Sequence, residues 1–428
     1  MTGLAFDITR CFGAQVGPSG LGSDAWARAL DGAAEAMSAL RAAHDGDALR
    51  FLRLPDERAD LPVAEAAAKA LIQGASDVML LGTGGSSLGT QAVAALAGHG
   101  LPGPQPQGPR FHFFDNLDGG TFADALARLD PATTRIVAVS KSGTTGETMM
   151  QAEAVAAAWG RLGERCAVIT EPKPSALRRF GERHGAVMLE HDPRVGGRFS
   201  VLTLVGLFPA MLMGLDASAL RAGAADALAP LLEGRAAAEV PSAAGAAVMT
   251  GLESHGITEL VLWPYGDRLA KAAMWWRQLW GESLGKDGQG TAPHAALGPV
   301  DQHSQLQLYL AGPRNKAVTI ITHDGPAGPR LPATLADADL AWAEGRAIGE
   351  LVACQARATA DTLAKNGVPV RTITSGRLDE RALGHLFTHF MLETVIAASI
   401  LGVDPYDQPA VEEGKVLARR YLAALPKG

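Results

Sequence analysis

Short, nearly uninterrupted apolar runs alternate along this chain with longer segments in which apolar residues recur at helical spacing. The apolar runs lie at residues 77–81, 111–114, 135–139, 166–169 and 187–189, and again at 257–263, 317–321 and 368–373. Strands that are apolar on both faces and are separated by helices are typical of parallel sheets covered by helices on both sides. The pattern therefore predicts an α/β fold with two doubly wound parallel sheets flanked by helices.

The segments with helical spacing complete this picture. They lie at 24–48, 62–74, 90–97, 122–129, 147–162, 175–184, 201–213, 268–280, 301–310, 341–365, 380–401 and 409–425, together with an alanine-rich stretch at 214–255 that is interrupted near Gly234 and Pro241. We expect an N-terminal helical arm over 1–49 and a first α/β domain over 50–213. A helical connector over 214–249 and a second α/β domain with a C-terminal helix over 250–428 follow.

Composition and charge narrow the class of protein. Of the 428 residues, 47% are hydrophobic and 19% are charged, and the net charge of −7 argues against a protein that binds nucleic acid with a broad basic face. Three distant cysteines predict neither a zinc site nor a disulfide framework and fit a reducing cytoplasm. The N-terminus lacks the apolar core of a signal peptide, and the apolar run at 202–212 is shorter than the roughly 20 residues of a membrane span. We expect a cytoplasmic protein that does not enter membranes.

A glycine-rich loop, Leu-Gly-Thr-Gly-Gly-Ser-Ser-Leu-Gly at 81–89, follows the first predicted strand. Glycines and free N–H groups between a strand and a helix can hold an anion, although an ordinary tight turn would look similar. A dinucleotide fingerprint is a second interpretation, which is weakened by Ser87 in place of the third glycine and supported by Asp115 after the next strand. A P-loop is excluded because no Gly-Lys-Ser/Thr follows.

The loop at 140–148, Ser-Lys-Ser-Gly-Thr-Thr-Gly-Glu-Thr, is a more specific signal. Five hydroxyl residues and a lysine directly after a buried strand indicate phosphate binding, with Ser142, Thr144 and Thr145 as candidate donors. Glu147 in the first turn of the next helix is more simply explained as a complement to the helix dipole.

A third loop, Val-Gly-Gly-Arg-Phe-Ser at 195–200, places Arg198 beside a glycine pair that allows close approach. The planar guanidinium suits a phosphate or a developing oxyanion. Because ligands of open parallel sheets bind beyond the carboxyl ends of the strands, we expect all three loops to meet at one pocket.

Acid–base candidates come later in the chain. Glu282 follows a helix with tryptophans at 275, 276 and 280, and an apolar, water-poor setting suits a carboxylate for proton transfer near neutrality. His303 would lie in the first turn of a helix and Lys415 on the C-terminal helix. Each also has a simpler interpretation: an acid in an exposed loop, a structural histidine and a solvated lysine.

Taken together in this order, the motifs resemble those of the glucose-6-phosphate isomerase family over nearly the whole chain. The stretch 282–310 is also similar to the isomerase half of transaldolase–isomerase fusion proteins. The motifs are G-x-G-G-S at 82–86, S-K-x-x-T-T-x-E-T at 140–148, V-G-G-R-F-S at 195–200, E-S-x-G-K at 282–286, Q-H-S at 302–304 and D-Q-x-x-V-E-x-G-K at 407–415.

The resemblance implies two sugar-isomerase (SIS) domains in an α/β/α sandwich, usually in a homodimer. It implies Glu282 as the proton-transfer base, Arg198 beside the sugar oxygens, and His303 and Lys415 in ring opening. The region 295–303 lacks the glutamate that many members carry there, and Glu282 is assigned through similarity to shorter bacterial relatives. The remaining residues implied to bind substrate or its phosphate are Gly84, Gly85, Ser86, Ser140, Lys141, Ser142, Thr144, Thr145, Glu147, Gly197 and Gln408.

The function implied is the interconversion of glucose 6-phosphate and fructose 6-phosphate in glycolysis and gluconeogenesis. Moving a proton between adjacent carbons through an enediolate requires a base, a cation and a ring-opening acid–base pair, and no metal or redox cofactor. The expected ligand is a small sugar phosphate, with no nucleic-acid or membrane partner. The alternative is a non-catalytic SIS-type sugar-phosphate sensor, which would need the phosphate loops but not Glu282, Arg198 and Lys415 together.

Overall fold

Two five-stranded sheets form the frame of the molecule in the computed structural model, which describes residues 4–325 and 327–426. The first sheet has the order β3-β2-β4-β5-β6 and the second β1-β10-β9-β7-β8. The strands are β1 Leu4–Asp7, β2 Asp77–Leu81, β3 Arg110–Phe114, β4 Thr134–Val139, β5 Cys166–Thr170, β6 Val187–Glu190, β7 Glu259–Pro264, β8 Ala292–Ala295, β9 Lys316–His323 and β10 Val370–Ser375.

Helices cover both sheets, as the alternation of patterns predicts. They are α1 Gly13–Val16, α2 Ser23–Asp45, α3 Leu61–Ile72, α4 Leu88–Ala97, α5 Gly119–Arg128, α6 Gly146–Trp159, α7 Ala176–His184, α8 Leu204–Leu212, α9 Ala217–Leu232, α10 Pro241–Glu253, α11 Ala270–Leu284, α12 Leu306–Ala311, α13 Ile348–Lys365, α14 Glu380–Leu401 and α15 Glu412–Ala424. The predicted α/β/α class is confirmed.

The first sheet is entirely parallel, and its central strands are buried on both faces. The strand β2 lies between β3 and β4, with Leu81 opposite Ala138. The loops that leave β2 and β4 therefore emerge side by side at the carboxyl edge, where chain connections diverge and ligands bind in such sheets. This adjacency brings the two glycine- and hydroxyl-rich loops together.

The second sheet contains the two strands that the sequence pattern did not predict. The strand β1 pairs antiparallel with β10, with Leu4 opposite Ser375, so residues assigned to a purely helical arm join the second sheet. The strand β8 lies within the glycine-rich stretch 281–298 and pairs parallel with β7. The proposed domain boundaries stay a prediction, and residues 1–3, 326 and 427–428 lie outside the described part.

Several predicted helices have different bounds in the structure. The segment 201–213 is divided into a 3-10 turn, Gly197–Leu202, and the helix α8. The Thr203 hydroxyl caps the first turn of α8, because it accepts a hydrogen bond from the Val205 N–H at 3.2 Å. The segment 341–365 likewise starts as a 3-10 turn, Ala338–Ala343, before α13. In both places a local capping or turn interaction ends the continuous helix that the apolar spacing predicted.

Helices α2, α9, α10, α11 and α14 pack together in a large apolar core between the sheets. The helix α14 is long and apolar enough to cross a membrane by composition, but 83% of its most apolar 18-residue window is buried inside the fold. Its apolarity is that of a core helix. This core fixes the position of the second sheet relative to the carboxyl ends of the strands of the first.

Candidate active site

The hydroxyl-rich loop 140–148 lies at the carboxyl end of β4. Ser140 is buried and its Oγ lies 2.8 Å from Thr145 Oγ1, while Ser142 and Thr144 are exposed with their hydroxyl oxygens 3.0 Å apart. The inner pair fixes the loop and the outer pair faces solvent. Exposed hydroxyls on a rigid loop are donors that a phosphate can accept.

Gly143 explains why this loop can be so tight. Its φ is +64°, and a Cβ at this position would lie 2.1 Å from Ser175 Oγ. Only glycine tolerates both the left-handed conformation and this close approach. Lys141 next to it is half-buried, and burial lowers the pKa of its ammonium group while the Glu171 carboxylate, 3.8 Å away, opposes that shift.

The glycine loop after β2 contacts the arginine loop directly. A Cβ on Gly85 would lie 2.3 Å from the carbonyl carbon of Gly197, so the two backbones touch. The Ser200 hydroxyl can donate to the carbonyl oxygens of Gly85, at 3.3 Å, and Gly197, at 2.7 Å. Gly84, Gly85 and Ser86 form one 3-10 turn at this contact. The glycine and arginine loops therefore meet, and the hydroxyl-rich loop lies beside them because β2 and β4 are adjacent strands.

Arg198 connects three parts of the chain from a buried position. Its Nε donates to Ser283 Oγ at 2.8 Å, and its Nη1 lies 3.3 Å from Glu282 Oε2 and 3.1 Å from Gln408 Oε1. Its Nη2 donates to the carbonyl oxygens of Pro405 and Asp407. Burial lowers the pKa of the guanidinium, and the nearby Glu282 carboxylate opposes this shift. The Glu282 contact is the longest of the five, and it is the only one of them that is made to a charged group.

Glu282 lies on a helix and not in the loop that the glycine pattern predicted, because α11 continues to Leu284. Its Oε1 accepts a hydrogen bond from Gln278 Nε2 at 2.8 Å, and 32% of the side chain is exposed. The tryptophans before it belong to the apolar core, as the contact of Trp275 with Phe387 shows. The contacts of the carboxylate itself are polar.

Sequence reasoning missed three residues that build this cluster: Gln278, Ser283 and Lys286. Gln278 lies four residues before Glu282 on one helix face, a spacing that would have indicated the contact had α11 been extended. Lys286, in the E-S-x-G-K motif, pairs with Asp407 at 2.8 Å and also donates to the Asp404 carbonyl. It thereby holds the segment that carries Gln408 against Arg198.

Lys415 is not brought to this cluster. It lies on α15, pairs with Glu412 at 2.6 Å, and no residue of that helix is buried. Glu147 is exposed in the first turn of α6, and its side chain has no hydrogen bond or ion pair within the described residues. Its proposed contact with substrate therefore stays a prediction.

His303 and Glu282 lie near opposite ends of the strands of the second sheet. Helix α11 runs back from the end of β7, and a Cβ at Gly281 would lie 3.5 Å from Pro293 Cγ, near the start of β8. His303 follows β8, beside Gln302, which accepts a hydrogen bond from Tyr265 OH at 3.0 Å beyond the end of β7. The six residues of β7 separate its two ends by roughly 20 Å. One chain therefore does not place His303 beside Glu282.

Two cavities accompany these features. A cavity of about 180 Å³ lies between the hydroxyl-rich and arginine loops, and its lining includes Lys141, Gly196, Phe199 and Tyr406. A larger one, about 740 Å³, lies between α13 and the second sheet and is lined by none of the predicted site residues. In residues 4–325 and 327–426, no group of three or more His, Cys, Asp or Glu is arranged to hold a metal ion.

The chain is similar to known proteins over most of its length. The family model described as phosphoglucose isomerase matches residues 66–300. A glucose-6-phosphate isomerase of Rubrobacter xylanophilus is 40% identical over 377 residues, which is 85% of this chain and 87% of that protein.

Solved structures show that the similarity extends to the fold. A hypothetical protein from Thermus thermophilus aligns with a TM-score of 0.84 and 30% identity, covering 98% of this chain and 100% of that one. A glucose-6-phosphate isomerase from Chlamydia trachomatis aligns with a TM-score of 0.73 and 21% identity over 88% of this chain and 78% of its own. The chain belongs to the phosphoglucose isomerase family.

Proposed function

We propose that this protein interconverts glucose 6-phosphate and fructose 6-phosphate by moving a proton between C1 and C2 of the open-chain sugar. The observation that carries the proposal is the pairing of a partly exposed carboxylate, Glu282, with a buried guanidinium, Arg198, at 3.3 Å beside a hydroxyl-rich anion loop. Membership of the phosphoglucose isomerase family supports it.

Each part of the cluster has a task in that reaction. Ser142, Thr144 and Thr145 hold the phosphate, so the opposite end of the sugar lies toward Glu282. The carboxylate takes a proton from one carbon and returns it to the next, which a single base can do on one face of an enediolate. Arg198 stabilises the negative charge that appears on the sugar oxygens, because its buried cation is already oriented.

A coupled assay tests this function directly. Fructose 6-phosphate is supplied with glucose-6-phosphate dehydrogenase, and NADPH formation is followed. The proposal expects turnover, and it expects inorganic phosphate to compete with substrate at the 140–148 loop. Binding of the sugar phosphate without any turnover would instead identify the non-catalytic sensor.

The position of His303 leads to the proposal of a homodimer with shared active sites. His303 is exposed and lies about a strand length from Glu282 in its own chain, so it can act there only if a second copy supplies it. Helix α15 also exposes Val416, Tyr421 and Leu422, apolar side chains that a partner could cover. We expect this dimer in the cytoplasm, which fits the three cysteines being unpaired.

Mixing two inactive variants tests the shared site. Glu282→Gln and His303→Gln are each expected to lose activity as pure dimers. When the two chains are refolded together, half of the dimers are mixed, and each mixed dimer contains one intact site. Recovery of about a quarter of wild-type activity is therefore expected. No recovery would mean that each chain completes its own site.

A further inference from the structure

A buried carboxylate lies directly behind the predicted phosphate loop. Glu171 follows the end of β5, and its side chain is only 6% exposed. A carboxylate is costly to bury unless a cation compensates it. The neighbours of Glu171 therefore indicate what this residue does.

The backbone of Glu171 is fastened to the phosphate loop. Its N–H donates to the carbonyl oxygen of Lys141 at 3.1 Å, and the Thr170 hydroxyl donates to that same oxygen at 3.3 Å. Four residues further on, Ser175 packs against Gly143. These contacts hold the segment 170–175 against the phosphate loop and place the Glu171 side chain close to Lys141.

Two lysines compensate the carboxylate, and they differ in position. Lys141 Nζ lies 3.8 Å from Glu171 Oε1, with 32% of its side chain exposed, whereas Lys173 pairs with Oε2 and is 58% exposed. Lys141 also lines the cavity of about 180 Å³ between the phosphate and arginine loops. Only the inner lysine therefore faces the space in which a ligand would lie.

We propose that Glu171 is a positioning residue that keeps the charged Lys141 ammonium group directed along the phosphate loop. The proposal rests on the proposed function, since it deepens the account of how the substrate phosphate is bound. Glu171 does not touch the substrate and acts through Lys141. No motif of the isomerase resemblance includes it.

The charges around Lys141 explain why a buried anion is needed. Burial lowers the pKa of Lys141, and Lys173 lowers it further, whereas Glu171 and Asp192 raise it. The imidazole of His191 also lies in this cluster, and burial lowers its pKa. Without Glu171, Lys141 would lose its proton at a lower pH or turn toward solvent, and both weaken its hold on a phosphate.

Inhibition by inorganic phosphate measures this effect. The inhibition constant is determined against fructose 6-phosphate from about pH 8 to about pH 10, where the phosphate stays dianionic. Glu171→Gln is expected to raise that constant about tenfold at the lower pH, the size of one contact to a charged group. The pH at which phosphate affinity declines should also fall by about one unit, because an opposite charge at this range shifts a pKa by that order.

Matched variants separate positioning from a general loss of structure. Glu171→Asp keeps the carboxylate and should restore part of the wild-type pH profile. Glu153→Gln removes an exposed carboxylate that pairs with Arg183 and should leave the profile close to wild type. Lys173→Gln removes a cation that lowers the pKa of Lys141, so it should move the decline of phosphate affinity to higher pH, opposite to Glu171→Gln. In a Lys141→Gln background, Glu171→Gln should add little, because the two changes act through one ammonium group.

The outcomes also separate this proposal from the proposed function. A wild-type enzyme that neither turns over fructose 6-phosphate nor responds to phosphate would overturn the function itself. With wild-type turnover intact, an unchanged phosphate profile in Glu171→Gln overturns only the positioning role. A full additional loss in the Lys141→Gln background overturns it as well, because Glu171 would then act independently of that lysine.

Discussion

At the scale of single residues, both oxygens of the Glu282 carboxylate accept hydrogen bonds, from Gln278 and Arg198. Each carboxylate oxygen has a second lone pair, so under the proposed function the base can take up a proton without losing either bond. This arrangement leaves Gln278 to hold the carboxylate in place throughout the reaction.

Glu282→Gln tests the base. The amide keeps the shape but cannot take a proton, so kcat should fall roughly 10²- to 10⁴-fold, the usual contribution of a positioned general base. KM should change little, since the phosphate contacts remain. Steady-state kinetics and exchange of the C2 proton with solvent deuterium measure the effect. Glu153→Gln, at an exposed ion pair with Arg183, is the matched control. A larger loss in Glu147→Gln, at the exposed start of α6, would move the base there.

Arg198→Lys tests the cation. Lysine keeps the charge, but it has three donors where arginine makes five contacts. The hydrogen bonds of the planar guanidinium to the carbonyl oxygens of Pro405 and Asp407 are therefore lost. We expect kcat to fall roughly 10²- to 10³-fold with a smaller change in KM, because the oxyanion exists mainly near the transition state. Arg183→Lys, at an exposed ion pair, should leave kcat unchanged. A raised KM with normal kcat would show that Arg198 only holds the substrate.

At the scale of elements, the contact between the glycine loop and the arginine loop depends on one missing side chain. Gly85→Ala would place a Cβ 2.3 Å from the Gly197 carbonyl carbon and 2.7 Å from the Arg198 nitrogen. Backbone atoms cannot turn aside as a flexible side chain can, so the loops must separate. The expected cost is about 1–3 kcal/mol of unfolding free energy, together with a reduced kcat.

Gly119→Ala provides the comparison for that experiment. Gly119 begins α5, and a Cβ there would meet no atom within 4 Å. Its unfolding free energy should stay within about 0.5 kcal/mol of wild type. Urea unfolding of both variants and the coupled assay give the two readouts. If Gly85→Ala behaved like this control, the close contact would not constrain the active site.

The same scale shows what sequence patterns can and cannot predict here. The central strands were predictable because they are apolar on both faces, and the adjacency of their loops follows from parallel pairing. The sequence pattern did not predict the strands β1 and β8, because each has only four residues, alternates in exposure and lies at the edge of its sheet. The last turn of α11 was not predicted, because Gly281 and Gly285 are residues typical of loops. The polar contacts of Glu282 and Ser283 are made from that last turn.

At the scale of the whole molecule, the site is assembled from segments far apart in the chain. Arg198 follows the first sheet, Glu282 ends a helix of the second, and Gln408 comes from the C-terminal segment. Spacing along the sequence cannot report such distances, because the contacts depend on how the helical core sets one sheet against the other. For that reason the motif resemblance named His303 and Lys415, while only the three-dimensional arrangement shows that one chain keeps them away from Glu282.

The junction between the N-terminal strand and the core makes the stability of the whole molecule depend on pH. Phe6 on β1 stacks on His389, with ring centroids 4.5 Å apart, and on His385, both on α14. Burial and, to a smaller extent, the neighbouring His389 lower the pKa of His385 to about 4, although Asp226 opposes this shift. Burial also lowers the pKa of His389, although Glu393 opposes this shift. The native fold therefore favours neutral imidazoles at this junction.

The last prediction follows from the proton balance at that junction. Between the ordinary histidine pKa of about 6.5 and the folded value of about 4, the unfolded chain binds a proton at residue 385 that the native chain excludes. The free energy of unfolding should therefore be highest above about pH 6.5 and should fall as the pH is lowered toward 4. In His385→Gln the slope of the unfolding free energy against pH should be smaller, by an amount that corresponds to at most about one bound proton. In His255→Gln, at an exposed position, that slope should equal the wild-type slope. Urea midpoints measured at several pH values decide between them, and parallel curves for wild type and His385→Gln would show that this histidine titrates alike in both states.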